Sequence, residues 1–310
     1  MPHLAEAVLF NLVAALGFIV GIALGSFAKA LADRSLTNIS FWGYSYCPDC
    51  KRDLRWYDLV PILSFIILKG SCRYCKKAIS IEYLLVEVAL GILIGFLFWS
   101  QFQNLPILIL SNWFKLSIFF LELVFNTFFI TILAALFITD LKKMLIPDRI
   151  SIPAIWISLI FILGITIYKV GYLYYFLAQS DIGRLLLPPH SDYFQRHVLI
   201  TAQSLIGSVL SAALIAAFFT LLIIITKGKG MGGGDVKLGA LMGLGLGFPL
   251  SLVALILSFL TGAIFSIFLI IVGKKHFGQT IPFGPFLVLG SIIALFWGNA
   301  IYDWYLTLGT

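Results

Sequence analysis

The chain has 310 residues, of which 61% are hydrophobic and only 11% charged, and its mean hydropathy is +1.04. A chain this apolar cannot cover itself with an ordinary polar surface, which excludes a water-soluble globule and points to several membrane-crossing helices. The net charge of +7 is the mark of basic loops on one side of a bilayer, and no basic helix with interleaved aromatics makes nucleic acid an expected partner.

Apolar windows of about 20 residues predict spans near 8–28, 81–99, 116–139, 151–170, 198–226, 236–247, 248–272 and 282–300. The first has no basic region before it and carries its positive charges behind it, so it reads as a retained span and not as a cleaved signal. The sixth is short and glycine-rich and is expected to cross only in part. Residues 29–80, 140–150, 227–237 and 273–276 together hold 17 of the 21 Lys and Arg. Loops rich in these residues stay in the cytoplasm, which places both termini on the other side. The expected architecture is an all-α polytopic membrane protein of about eight transmembrane helices with a small cytoplasmic four-cysteine loop. Its parts are a first span (1–28), a zinc-binding domain (29–80) and a multi-span domain (81–310).

All four cysteines lie in the first basic loop: Cys47-Pro48-Asp49-Cys50, then 21 residues, then Cys72-Arg73-Tyr74-Cys75. Paired CxxC turns at this separation suit one tetrahedral zinc ion held by four thiolates, and a reducing cytoplasm disfavours a disulfide. Four protein ligands leave no open position, so the metal is expected to be structural. Lys51, Arg52, Arg73, Lys76 and Lys77 offset the thiolate charge. Between the turns, the apolar residues of Leu54 to Pro61 are expected to form a small core or to lie on the bilayer surface.

Asp140 ends the apolar run Phe125 to Thr139, and Asp235 follows the glycines of Met231-Gly232-Gly233-Gly234. Carboxylates at a bilayer border are expensive, and by default they are functional-site candidates. The topology puts both at the same cytoplasmic border, where two acids about 3 Å apart cannot both ionise and so share one proton, as acid/base hydrolysis requires. Side-chain-free backbone before Asp235 would let an extended substrate lie close. The bland alternative is that each Asp only caps a helix. Asp148, after Ile146-Pro147, is given that capping role first and substrate contact second. Glu82 sits at a border and is read as structural, whereas Glu87 and Glu122 lie deeper and are expected to face the bundle interior or a polar cavity.

Taken in order, Gly25-Ser26-Phe27 with Arg34, the two cysteine turns bracketing Trp56-Tyr57-Asp58-Leu59-Val60-Pro61, Asp140 with Ile146-Pro147-Asp148, Gly232 to Leu238, and Ile281 to Phe286 carry a clear likeness. Across nearly its whole length the chain resembles the type IV prepilin peptidases, the bifunctional prepilin leader peptidase/N-methyltransferases. The resemblance implies an inner-membrane aspartyl endopeptidase acting at the cytoplasmic face. It would remove the short basic leader of type IV prepilin or pseudopilin precursors after a glycine, then methylate the new N-terminus with S-adenosylmethionine. Matched position by position, Asp140 and Asp235 correspond to the catalytic pair, and Cys47, Cys50, Cys72 and Cys75 to the zinc-loop cysteines.

The chain departs from that pattern at Glu82-Tyr83-Leu84, where the family reads Arg-Tyr-Pro, at Ser35, where it has proline, and in a longer Gly171–His197 segment. The Glu82 and Leu84 changes bear on the methyltransferase half, and no glycine-rich nucleotide loop marks a methyl-donor site. The long segment lies on the far side by the predicted topology, so no catalytic role is expected there. The competing readings are a peptidase without methyltransferase activity, a proton-coupled transporter, and a zinc-stabilised scaffold. No inverted repeat of broken spans favours transport.

Overall fold

The computed structural model describes residues 2–37, 39–41, 43–47, 49–103, 112–228, 231–273 and 281–308. Pro48 of the first cysteine turn and Lys229, Lys274 and Lys275 of the basic loops lie outside the described residues. In chain order the α-helices are α1 (Pro2–Leu36), α2 (Leu63–Ile67), α3 (Glu82–Gln103), α4 (Trp113–Lys143), α5 (Asp148–Ala178), α6 (Asp181–Leu185), α7 (Tyr193–Ile225), α8 (Gly233–Leu246), α9 (Leu250–Ile271) and α10 (Gly284–Thr307). A 3-10 turn (Trp56–Asp58) precedes α2.

Among the described residues, seven helices are long and apolar enough to cross a membrane: α1, α3, α4, α5, α7, α9 and α10. They outrun the predicted spans because an apolar window measures the hydrocarbon thickness, while helical hydrogen bonding continues into the polar border. The 31 residues of α4 extend about 46 Å against a core of about 30 Å. The predicted sixth span is α8, whose 14 residues reach only about 21 Å. Much of the long 171–197 segment is likewise helical: α5 runs to Ala178 and α7 starts at Tyr193. Stacking of Tyr172 on Phe114, with ring centroids 3.5 Å apart, carries α5 past its predicted end.

The chain forms two compact units. The first comprises residues 1–111 and 126–143 and is built on antiparallel α1 and α3. Gly17, Gly21 and Gly25 repeat at four-residue spacing, which lets the two backbones touch: a Cβ at Gly21 would lie 2.5 Å from the Leu90 carbonyl oxygen. The core half of α4 is filled by Phe129, Ile130, Leu133 and Leu136, all fully buried.

The second unit comprises residues 112–125 and 144–310. Here Gly239, Gly243 and Gly247 repeat the device, and a Cβ at Gly243 would lie 2.5 Å from the backbone of Ala212 on α7. Lipid tails compete with apolar side chains as packing partners, so such close backbone contact supplies the helix pairing that burial supplies in water. Phe219, Phe259 and Phe283 cluster where α10 begins, the last two with ring centroids 4.9 Å apart.

Candidate active site and metal centre

The four cysteines converge within the first unit. Their sulfurs all lie within 4.8 Å of one another, and Cys47 Sγ is 3.9 Å from Cys75 Sγ. Four Zn–S bonds of about 2.3 Å in a tetrahedron imply sulfurs about 3.8 Å apart, so the set has the dimensions of a four-thiolate zinc site.

Each cysteine pair is shaped by the same local fold. The Cys47 amide donates to Arg52 O (3.0 Å) and the Cys72 amide to Lys77 O (2.8 Å). Lys51 and Lys76 both take positive φ (57° and 60°), and bridges Tyr46–Asp53 and Ser71–Ala78 close the two turns. Lys77 joins the turns through Asp49 at 2.5 Å. Backbone amides of Cys75 and Tyr74 directed at its sulfur bring the Cys72 thiol down to about 7. Against the Lys77 amide, desolvation and the other sulfurs push Cys75 up to about 11. A dication would resolve this crowding of sulfurs by taking all four as thiolates.

Trp56 to Pro61 joins this domain to the bundle. Asp58 accepts from Arg73 Nε (2.6 Å), Tyr74 OH (3.2 Å) and the Arg55 amide (3.2 Å). Despite its desolvation, these donors hold the Asp58 carboxyl below the usual carboxylate range. The Ile62 amide donates to Glu87 Oε2 at 2.7 Å. Ile62 itself sits at φ 61°, ψ −53°, with Leu63 N–H donating to Pro61 O (2.6 Å): a strained γ-turn at a β-branched residue. Trp56 and Ile67 nevertheless stay 79% and 72% exposed, so the apolar residues between the cysteine turns do not close into a core of their own.

Asp140 is 5% exposed and lies in the last turn of α4, after fully buried Thr139. A carboxylate at the carbonyl end of a helix opposes the helix dipole and cannot be an N-cap, so the capping alternative fails there. Asp235 is 9% exposed in the first turn of α8, and its Oδ2 accepts from the Gly232 amide at 3.3 Å. That bond is the capping geometry of the bland reading, present beside whatever else the acid does. Gly234 is required locally, since a Cβ would come 2.9 Å from Ile146 Cβ, whereas at Gly233 nothing lies within 4 Å.

Asp148 does not take the expected capping position. Pro147 is the N-cap residue of α5, and the Asp148 carboxylate in the first turn pairs instead with Lys237 of α8. Glu87 is buried as expected (6% exposed). Glu122 is not: its side chain is 52% exposed and pairs with Lys169 at 3.0 Å. It stands 18 residues before Asp140, about 27 Å along α4, near the far border where paired charges reach water.

A four-charge network, passed over in the sequence, closes the border of the first unit. Lys29, only 1% exposed, lies 2.6 Å from Asp33 and 3.4 Å from Glu82, while Lys142 lies 3.1 Å from Asp33 and 2.8 Å from Glu82. The Tyr83 hydroxyl donates to Asp33 (2.9 Å), and its ring lies under the Lys29 ammonium. Glu82 is therefore structural, as expected. The available signal was the i,i+4 pair Lys29–Asp33 at the end of an apolar helix.

Residues 19–101 match the bacterial Peptidase A24 N-terminal domain, and residues 127–267 match the Type IV leader peptidase family. The chain is similar to a prepilin leader peptidase/N-methyltransferase of Aeromonas salmonicida (strain A449), with 33% identity over 85% of this chain and 74% of that one. It is also similar to a protein of the same description from Bacillus subtilis (strain 168), at 31% identity over 94% of this chain and 97% of that one. A third, from Pseudomonas aeruginosa, is 28% identical over 84% and 74% of the two chains. No solved structure matches. With both family domains present in order on a seven-span, four-cysteine frame, the chain is a multi-pass membrane peptidase belonging to the type IV leader peptidase family.

Proposed function

We propose that this peptidase removes the leader of type IV prepilin-like precursors, with Asp140 and Asp235 as its catalytic pair. One acid, ionised, takes a proton from water as that water attacks the scissile carbonyl. The other, protonated, donates to the carbonyl oxygen; as the C–N bond breaks, the first acid passes the proton it took from water to the leaving amine, and the gem-diol hydroxyl returns a proton to the second acid. The observation that carries this reading is the burial of Asp140 at the carbonyl end of α4, where neither capping nor solvation accounts for a carboxyl group. The open backbone at Gly233 supports it, since a substrate in extended form could pass close beside the turn that carries Asp235.

The basic loops favour an inner-membrane protein whose acids face the cytoplasm, so the leader would be cut before its substrate leaves that side. Methylation must follow cleavage, because only cleavage creates the free α-amine that attacks the methyl group of S-adenosylmethionine. The division of labour that fits is a first span (1–28), a cysteine domain (29–80) and a multi-span protease region (81–310). Cys47, Cys50, Cys72 and Cys75 would hold a structural zinc ion, which supplies no reactive position.

The test uses full-length protein in lipid nanodiscs and a synthetic precursor with a Lys/Arg-rich leader ending in glycine before an apolar helix. Mass spectrometry with and without S-adenosylmethionine reads leader loss and a methyl addition separately. Asp140→Asn and Asp235→Asn are each expected to abolish leader loss with folding and metal content unchanged. Cleavage by either variant at more than a few per cent of the parent rate rejects the pair.

A further inference from the structure

Each of the two aspartates opens the same three-residue pattern, Asp140-Leu141-Lys142 and Asp235-Val236-Lys237. Both patterns lie on helical backbone, α4 and α8. Two positions along a helix is a turn of about 200°, so the lysine leaves from the face opposite its aspartate. In each unit that lysine is taken up by acids of other helices. Lys142 Nζ meets Asp33 on α1 (3.1 Å) and Glu82 on α3 (2.8 Å). Lys237 Nζ meets Asp148 in the first turn of α5.

We infer that Lys142 and Lys237 are positioning residues, each an ion-paired stop that fixes the rotation of the helix bearing a catalytic aspartate. The inference rests on the aspartate reading above. A rotation of about 20° moves a group about 6 Å from a helix axis by about 2 Å, which is enough to break either ion pair and to displace the aspartate by a similar amount on the other face. Misplacement of a reacting group by about 1 Å can cost on the order of a hundredfold in rate. The pairing has a second chemical effect. A lysine committed to Asp33, Glu82 or Asp148 has its charge drawn away from the aspartate two residues before it, and an aspartate with a lysine partner would stay ionised and could not hold the shared proton.

The Lys237–Asp148 pair is a poor candidate for a purely structural role. The Lys237 and Asp148 side chains are 34% and 61% exposed, and a pair so open to water adds little stability. The two roles therefore separate in measurement: a stop acts on kcat, a stability device on the melting temperature. Glu82 fits the fold because an acid there completes the alternation of two lysines and two acids.

The experiment measures kcat, KM and melting temperature for full-length protein in nanodiscs with the same synthetic precursor. Asp148→Asn and Lys237→Met are each expected to lower kcat about tenfold or more with KM within about twofold, and the double variant to lose no more than either single. Lys237→Arg should keep kcat within about threefold. Lys142→Met and the double Asp33→Asn/Glu82→Gln form the matching set in the first unit. Should the buried neighbourhood of Lys29 prevent those from folding, the Lys237 set, whose two side chains are partly exposed, still decides.

Full kcat in Asp148→Asn, strictly additive losses, or a fall in melting temperature at unchanged kcat would overturn the inference. The Asn variants at Asp140 and Asp235 run in parallel. If they cleave, the catalytic pair itself is wrong; if they are inert while Asp148→Asn is fully active, only the lysine stops fail.

Discussion

Gly243→Ala places one methyl group where α7 and α8 meet backbone to backbone. The new Cβ would lie 2.5 Å from the Ala212 Cα and N, against 3.4 Å for an ordinary contact, so α8 must withdraw by about 0.9 Å. No flexible side chain can yield there, and helix association in lipid depends on this packing. Overpacking of this kind costs about 1–3 kcal/mol, or about a fivefold to 150-fold shift towards the unfolded state. Alanine is the better helix former, so a position with room shows the opposite sign: at Gly164 nothing lies within 4 Å of an added Cβ. Reversible unfolding of both variants in the same mild detergent measures the difference. Because α8 carries Asp235, cleavage per folded molecule should also fall in Gly243→Ala. Equal stability of the two variants would refute the close-packed α7–α8 pair as the frame for Asp235.

Chelation, or Cys72→Ser, should release about one zinc per chain, raise amide exchange over residues 45–80 and impair methylation more than cleavage; exchange unchanged by chelation would remove the metal from the argument. Asp58 should make the cysteine domain pH-sensitive with a defined sign. Its folded carboxyl is depressed, so its contribution is present above about pH 4 and is lost as pH falls through the folded value. The stability gap between the parent and Asp58→Asn should therefore close below about pH 4, and a constant gap would contradict the ion pair with Arg73. Glu87→Leu strips the acceptor from the Ile62 amide, at a cost of about 1–3 kcal/mol, whereas Glu87→Gln keeps an acceptor. Limited proteolysis near residue 62 should rise in the first variant and not in the second.

Local and periodic features were legible in advance. Apolar windows located each of the seven candidate membrane helices among the described residues, and the brevity of the sixth flagged α8. The cysteine spacing anticipated sulfurs within 4.8 Å of one another, because a CxxC turn fixes its two thiols locally and only two such turns had to meet. The chain also marked Asp140 and Asp235 by setting acids against apolar runs. What escaped was whatever depends on a partner distant in sequence. Nothing near Asp148 announces Lys237, 89 positions on, and nothing near Lys142 announces Asp33 and Glu82. Glu122 was misread because its partner Lys169, 47 positions on, is equally invisible from the local sequence.

Composition and spacing by themselves determined a polytopic helical protein with a four-cysteine cluster and two carboxyls set against apolar runs, since hydrophobic length, turn geometry and the cost of charge in lipid are all local physics. Tertiary structure alone decided which acid meets which base and that glycines at 21 and 243 set the distance between helix backbones. Those outcomes depend on how the helices are rotated and packed, which no single segment specifies.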